Sequence, residues 1–575
     1  MAINRELARI FREIADILEL KETKWEPRAY RKAAYNIENL GDSVKDIYKK
    51  GGTGGLKEIP GVGKALAAHI EEYIKTGEIK KLAELRKDYS KEVTELVNIE
   101  GLGSKKVKKL KDKLGVSSAG ELKKAAEKHK IRKLEGFGEK TEENILESLE
   151  FYKKRKGRMF LDQAIPLAEE IISYLKENSP VQEIDYVGSL RRMKETIGDI
   201  DILVISDKAD KVINTFTKMD SIRKIISQGS TRSSIALKED DIHVDLRVIE
   251  KSSYGAALIY FTGSKEHNIE LRKLARKKGY KLSEYGLFKR KNNEKLKSET
   301  EDKIYKKLGL SYIPPEIREH RGEINSAKKD KIPKLVELKD IKGDLQMHTD
   351  YSDGSETVEE MIKGCSEQGY KYMALTDHSK SQRIASGLSK KEFENQFKEI
   401  EKASKKYDIK VFKGGEIDIL KDGSLDFEDK FLKKLDIVVG AVHSNFKMSE
   451  KEMTDRILKA LDNKYLDILA HPTGRIMGKR KGYDADFDKI FEKAGKNEKI
   501  IEINAQPQRL DINNSLILSA KEYDVKFSID TDAHHISSLN FMKYGVGQAR
   551  RGWLEKQDVV NTYSLKKLKK MFKRI

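Results

Sequence analysis

At 575 residues, with a formal net charge of +20 and 37% charged side chains, the chain is too long for a single core, and three or more domains are expected. It contains no run of about eighteen apolar residues, and its charged amphipathic start, MAINRELARIFREIADILEL, is not a secretory leader, so a cytoplasmic chain without membrane contact is expected. The single cysteine, Cys365, excludes an internal disulfide and a thiolate zinc site, which leaves His, Asp and Glu to hold any metal.

The charge is uneven. The first 340 residues carry 72 Lys+Arg against 57 Asp+Glu, or +15, and the remainder carries 43 against 38, or +5. A polyanion would therefore meet its strongest attraction in the N-terminal part. Abundant acidic residues allow the plainer reading of solvated faces with ion-pair networks, so the motifs must decide.

Residues 1–150 read as helices interrupted by three related turns, EIPGVGKALAAHI, NIEGLGSKKVKKL and KLEGFGEKTEENI. Their glycine pairs, Gly61/Gly63, Gly101/Gly103 and Gly136/Gly138, would let backbone N–H groups at a helix start approach a phosphate closely. A lone glycine turn is more often a helix cap, but three copies with the same flanks resemble helix-hairpin-helix motifs. Lys64, Lys105 and Lys106 would add phosphate charge. In the third copy Glu142 and Glu143 follow the turn, which makes it the weakest.

From about 181 to 250 the pattern changes to period-two strands: EIDYVGS, GDIDILVIS and IALKEDDIHVDLRVI. Asp199 and Asp201 fall on one face of a strand, and Asp245 lies on another with His243 and Arg247 on its own face. Three converging carboxylates would repel one another unless divalent cations joined them, and two such cations suit nucleotidyl transfer to a 3′-hydroxyl. YVGSLRR places Gly188 and Ser189 where a strand enters a helix, with Arg192 and Gly198 nearby to hold a triphosphate. YFTGSKEHNIELRKL follows, and then SYIPPEIREHRGEINSAKKDKIPKL, whose Pro314, Pro315 and polar run read as a linker.

The order GSLRR, GDIDIL, HVDLRV, YFTGS resembles the nucleotidyltransferase core of family X DNA polymerases, over about residues 1–325. That resemblance implies that Asp199, Asp201 and Asp245 are catalytic carboxylates holding Mg²⁺ or Mn²⁺, with Ser189, Arg192 and Gly198 at the triphosphate. It further implies that Tyr260, Phe261 and Gly263 line the sugar pocket, and that Asn268 and Arg272 face the nascent pair. Two positions depart from the family. Lys265 stands where polymerase beta is acidic. His69 stands where lyase-competent members carry a Schiff-base lysine, and histidine cannot form that imine, so lyase activity through this site is expected to be weak or absent unless Lys64 substitutes.

After about residue 340, short apolar strands alternate with amphipathic helices, which argues for an α/β barrel with functional residues at strand C-terminal ends. Six of the eleven histidines lie there. QMHTDYSDG offers His348 and Asp353, LTDHS His378, KGGEID Glu416, GAVHS His443, ILAHPTGR His471, and SIDTDAHH Asp532 and His534. Imidazole with carboxylate suits Mn²⁺, Zn²⁺ or Fe²⁺, and several ions together suit phosphoester hydrolysis.

These motifs resemble the PHP domain, a distorted (β/α)7 barrel holding up to three metals. The likeness assigns His348, Glu416 and Asp532 to one ion, Glu416 with His443 and His471 to a second, and Asp353, His378 and His534 to a third. PHP domains often open with His-x-His, but here Gln346 takes the first place. Arg475 is expected to be an exposed, solvated residue, and SLKKLKKMFKRI at the C-terminus a docked amphipathic helix.

The expected fold is therefore multidomain, α+β and α/β. It comprises a helical region 1–85 with helix-hairpin-helix, a second such region 86–150, a mixed-sheet nucleotidyltransferase palm 151–255, a thumb 256–318, a linker 319–339 and a PHP barrel 340–575. The expected function is a monomeric repair polymerase that fills gapped or nicked duplex DNA from deoxynucleoside triphosphates. Its barrel would trim 3′ ends as a 3′–5′ exonuclease or phosphoesterase, with abasic-site cleavage as a further activity. The competing readings are a template-independent nucleotidyltransferase and a DNA-binding scaffold with decayed sites.

Overall fold

The computed structural model describes residues 2–572 except 39, 41–42, 100–101, 156 and 239–241. The chain divides into two compact units, Met1–Lys156 with Gly478–Arg480, and Gly157–Met477 with Lys481–Ile575.

The first unit is helical. In the helix Ala2–Leu20, Leu7, Phe11, Ile14 and Leu18 recur at three- and four-residue steps and so fall on one buried face. One apolar cluster runs from these residues through Ile70 and Leu82 to Leu110, Leu122 and Ile145. The position 85/86, expected as a domain limit, falls inside the helix Lys80–Asp88, and the shared cluster shows why this stretch packs as one body.

In the second unit the palm is a five-stranded sheet ordered Glu183–Tyr186, Asp199–Ile205, His243–Ile249, Arg232–Leu237, Ile222–Gln228. The two carboxylate-bearing strands are parallel neighbours, with Asp201 opposite Asp245. The strand Ile222–Gln228 was not expected. Its residues are almost all exposed, so IRKIISQ shows no alternation of apolar and polar positions.

The thumb follows from the helix Tyr254–Thr262 onward. The stretch 319–339, expected as a linker, instead carries the helix Glu323–Lys328, and Ile324, Ala327 and Leu335 join the thumb's apolar cluster. Its polar composition misleads because the charged residues around it are themselves buried and paired. The fully buried Arg318 donates Nη1 to Glu301 Oε1 at 2.6 Å, and Arg191 donates Nη2 to Glu301 Oε2 at 2.8 Å. Burial opposes the charge of Glu301, but Arg318 and Arg191 outweigh it and hold the carboxyl at about 2.

A carboxyl depressed in this way stabilises the fold above its unfolded pKa, and the contribution fades as pH falls from about 4.5 toward 2. Glu301→Gln leaves two guanidiniums without a counter-charge and is expected to cost about 3 kcal/mol at pH 7. In urea unfolding of the full chain, the gap between variant and parent should narrow as the acid limit is approached.

The C-terminal part is a seven-stranded parallel sheet in strictly sequential order from Gly343–Asp344 to Lys526–Asp530, a nearly closed barrel. Parallel neighbours require crossovers, and helices such as Val358–Glu367, Lys390–Ala403 and Glu450–Leu461 supply them. Strands covered on both faces read as unbroken apolar runs, as in the wholly buried Ile437–Ala441. A bridge between Met347 and Ala533 joins the ends. Asn561 adds to this closure by donating to Gly343 O at 3.1 Å and Ile529 O at 2.8 Å. The last helix, Leu565–Met571, docks as expected: Leu568 and the adjoining Phe572 are buried in the apolar cluster that also holds Leu345, Tyr372 and Val439.

Candidate functional site

Two clusters of metal-type side chains lie in the second unit. In the palm, Asp199, Asp201 and Asp245 each offer an oxygen lying within 4.8 Å of the others. Gly188 makes the approach possible. Its φ of +63° suits glycine, and a Cβ there would collide with the Asp201 carboxylate. The Ser234 hydroxyl, one strand over, donates to Asp245 Oδ1. Burial together with the neighbouring Asp199 and Asp245 pushes the Asp201 carboxyl up to about 7. Three acidic groups short of compensating charge are a donor set that divalent ions satisfy.

Beside them, Gly188 and Ser189 open the short helix Gly188–Arg191. The mostly buried Arg192 donates Nε to Glu319 Oε1 at 3.0 Å and Nη1 to the Thr262 carbonyl. Gly263 lies against that guanidinium, leaving 3.1 Å between Arg192 Nη1 and the place a Cβ would occupy. A Cβ on Gly198 would meet Arg158 Nη1 at 3.0 Å. Tyr260, 36% exposed, meets Phe261 edge to face at 5.1 Å. Asn268 donates Nδ2 to the Tyr260 carbonyl at 2.7 Å, and Arg272 is exposed on the helix Lys265–Lys277.

The barrel gathers the second cluster at the C-terminal ends of its strands. Glu416 sits at the centre: its carboxylate lies 3.5 Å from His348 Nε2, 3.0 Å from His378 Nδ1, 3.3 Å from His443 Nε2 and 2.9 Å from His471 Nε2. His348 Nε2 is 3.2 Å from Asp532. Asp353 lies 3.5 Å from His378 Nε2 and 3.2 Å from His534 Nε2. All eight residues expected as ligands thus share one pocket. His348 stands with Asp353, His378 and His534 in one set of donors, and His378 with Glu416 and His443 in another, so the grouping is less tidy than three separate triplets.

Some of these atoms are hydrogen-bonded, as His471 Nε2 is to Glu416 Oε1 at 2.9 Å, but others are not. His378 Nδ1 and Glu416 Oε2, 3.0 Å apart, are buried without a hydrogen-bond partner among the described residues, as are both ring nitrogens of His348 and Nδ1 of His471. Orphaned buried donors and acceptors are costly; a cation between them resolves the cost, so the donor set fits His/carboxylate-bound divalent ions. Gln346 is fully buried, and neither of its amide atoms has a hydrogen-bond partner among the described residues.

Sequence reading missed Asp418. It accepts from His443 Nδ1 at 2.6 Å and so turns Nε2 toward Glu416. Burial works against a charged His443 ring, but Glu416 and Asp418 outweigh it and raise the group to about 9. The only signal was Glu-x-Asp on one strand face. Arg475, expected to be solvated, instead donates Nη2 to Glu195 of the palm at 2.8 Å and Nε to Arg509 O at 2.9 Å. It is a tie between palm and barrel, invisible to composition because its partners are distant in sequence.

In the first unit, Gly63 and Gly103 cap the helices Lys64–Thr76 and Ser104–Leu114, and neither helix has an acidic residue in its first turn. Gly61 takes φ +78°, and Lys64 and Lys105 are exposed, while Lys106 lies 5.7 Å over the Phe137 ring. Gly101 lies outside the described residues. The third turn differs. Its helix opens with Glu139 and Glu142, which already occupy the positive end of the helix dipole, and the buried Glu142 binds Arg132 at 2.6 Å. His69 Nδ1 pairs with the Tyr30 hydroxyl at 2.9 Å.

Family models match along the chain: a helix-hairpin-helix domain at residues 2–79, a SAM-like helix-hairpin-helix tandem at 93–150, a DNA polymerase beta thumb at 257–319 and a PHP domain at 344–506. The chain is 38% identical over 573 residues to the DNA polymerase/3′-5′ exonuclease PolX of Bacillus subtilis (strain 168), covering 99% of both chains. It is 25% identical over 351 residues to DNA polymerase lambda of Arabidopsis thaliana, covering 55% of this chain and 62% of that one. Over 189 residues it is 29% identical to the "Probable phosphatase" of Thermoanaerobacter sp. (strain X514), covering 31% and 72% respectively. No helix among the described residues is long and apolar enough to cross a membrane.

Proposed function

We propose, from the premise that this chain belongs to the family of the DNA polymerase/3′-5′ exonuclease PolX, that its palm extends a 3′ end across short DNA gaps and its barrel removes nucleotides from 3′ ends. The observation that carries the reading is the presence of two intact donor sets on one chain, the palm carboxylates and the histidine-rich barrel pocket. A scaffold with decayed sites would not keep both.

In the palm, Asp199, Asp201 and Asp245 would hold Mg²⁺ or Mn²⁺, and such ions offset charge on a transferring phosphoryl group and favour ionisation of a 3′-hydroxyl. The protein's own part is positioning. Gly188 and Ser189 present backbone N–H groups at a helix start toward the triphosphate, and Arg192 supplies a guanidinium. Tyr260 and Phe261 form a wall beside the sugar, while Asn268, held by the Tyr260 carbonyl, and Arg272 face the base-pair side. The helix starts at Gly63 and Gly103, with Lys64, Lys105 and Lys106, grip the DNA backbone without reading sequence.

In the barrel, His348, Asp353, His378, Glu416, His443, His471, Asp532 and His534 would hold up to three ions, of Mn²⁺, Zn²⁺ or Fe²⁺, which supply Lewis acidity toward a phosphodiester. Asp418 fixes the tautomer of His443, and the enclosing strands exclude bulk water from Glu416, 1% exposed. Gapped duplex with one deoxynucleoside triphosphate, and separately an end-labelled strand with Mn²⁺, test the two halves; absence of template-directed extension would leave the template-independent reading in place of the first.

His69 carries no amine for an imine, and its hydrogen bond to Tyr30 gives it a packing role. Borohydride trapping on incised abasic DNA is therefore expected to give no covalent adduct in the first unit. An efficient adduct mapped to Lys64 would reverse that expectation.

A further inference from the structure

Arg192 is not held by the palm alone. The carboxylate that takes its Nε, Glu319 Oε1, also accepts from Nη1 of Arg551 at 3.0 Å. The same Nη1 donates to the Arg192 backbone carbonyl at 2.7 Å. Arg551 lies at the end of the barrel's helix Met542–Arg551 and is 5% exposed. That helix is packed tightly onto the palm: the side chain of Met193 occupies the space over Gly547 that a Cβ would need. Leu510 and Tyr544 of the barrel belong to the palm's own apolar cluster. The adjacent Glu195 receives Arg475 Nη2 and Gln548 Nε2, both at 2.8 Å.

Two buried guanidiniums, Arg192 and Arg551, meet on the same oxygen of Glu319. Of the Arg192 guanidinium, Nε is taken by that carboxylate and Nη1 by the Thr262 carbonyl, and charge-assisted hydrogen bonds of this kind fix the direction in which a guanidinium can meet a polyphosphate. Arg551 grips both the main chain of Arg192 and the carboxylate that orients its side chain, so the direction of the Arg192 guanidinium is set from the barrel.

We propose that Glu319 and Arg551 are positioning residues for nucleotide binding, through which the C-terminal barrel holds Arg192 ready for the triphosphate of the incoming nucleotide. The inference rests on the reading of Arg192 as a triphosphate ligand. Freedom lost by Arg192 in the ordered clamp is freedom that the nucleotide no longer has to remove on binding. Loss of the clamp should therefore act on nucleotide affinity more than on the chemical step.

The test uses the full chain, single-nucleotide gap filling and Mn²⁺-dependent 3′-end trimming in parallel. Arg551→Ala is expected to raise KM for the deoxynucleoside triphosphate about tenfold with kcat within about twofold, and to leave trimming unchanged. Arg551→Lys should recover part of the loss. Glu319→Gln should raise KM similarly, and its combination with Arg551→Ala should add little. An unchanged KM in Arg551→Ala, or a parallel fall in kcat and trimming that marks general damage to the packing, overturns the inference. Arg192→Ala separates the premise from the inference. If it leaves KM unchanged, Arg192 is not a triphosphate ligand; if it raises KM while Arg551→Ala does not, the palm orients Arg192 without the barrel.

Discussion

Asp201→Asn is expected to lower gap-filling kcat by about 10³-fold or more while 3′-end trimming by the same preparation stays within about twofold. The carboxamide has nearly the same shape, so the tight contact with Gly188 is kept. What is lost is one of three carboxylates whose oxygens lie within 4.8 Å of one another. A neutral group cannot complete the oxygen set for a divalent ion, and the barrel pocket shares no side chain with the palm set. Extension assays on a one-nucleotide gap read the first quantity and an end-labelled single strand the second. Retained extension would mean that the carboxylates only fill a solvated strand face.

The reciprocal substitution is Glu416→Gln. Glu416 approaches His348, His378, His443 and His471 at once, and His378 and His443 hold its carboxyl well below the usual range despite burial. Removing that charge leaves several buried imidazoles without their shared counter-ion. Trimming is expected to fall by about 10³-fold or more, and bound metal to fall with it, while gap filling is retained. Elemental analysis of the purified variant reads the metal directly. Full trimming with undiminished metal content would remove Glu416 from the centre of the pocket.

Much of this was legible in the sequence because the ligating residues sit at predictable places on regular elements. GDIDIL and IHVDLRV alternate with period two, which fixes the facing of Asp199, Asp201 and Asp245, and their parallel pairing follows once the strands are neighbours. In the barrel each histidine comes just after an apolar strand, so sequential strand order brings them to one mouth. The features that escaped depend on partners far away in the chain. Arg475 reads as a surface residue until Glu195 is placed beside it. The stretch 319–339 reads as a linker because a polar run follows Pro314 and Pro315, and only distant partners, His267 for Glu323 at 2.7 Å and Glu301 for the preceding Arg318 at 2.6 Å, let its charged residues and their neighbours be buried. Asp418 lacked any signal beyond its spacing from Glu416. The Arg551 contact joins residues 359 positions apart, which no local pattern encodes.

One chain should trap divalent ions in two separate pockets, and anomalous diffraction at the manganese edge from crystals grown with Mn²⁺ tests this most directly. Peaks bounded by Asp199, Asp201 and Asp245, and others bounded by Glu416 and its histidines, are the expected result. Density confined to one pocket, or scattered over exposed carboxylates, would contradict it.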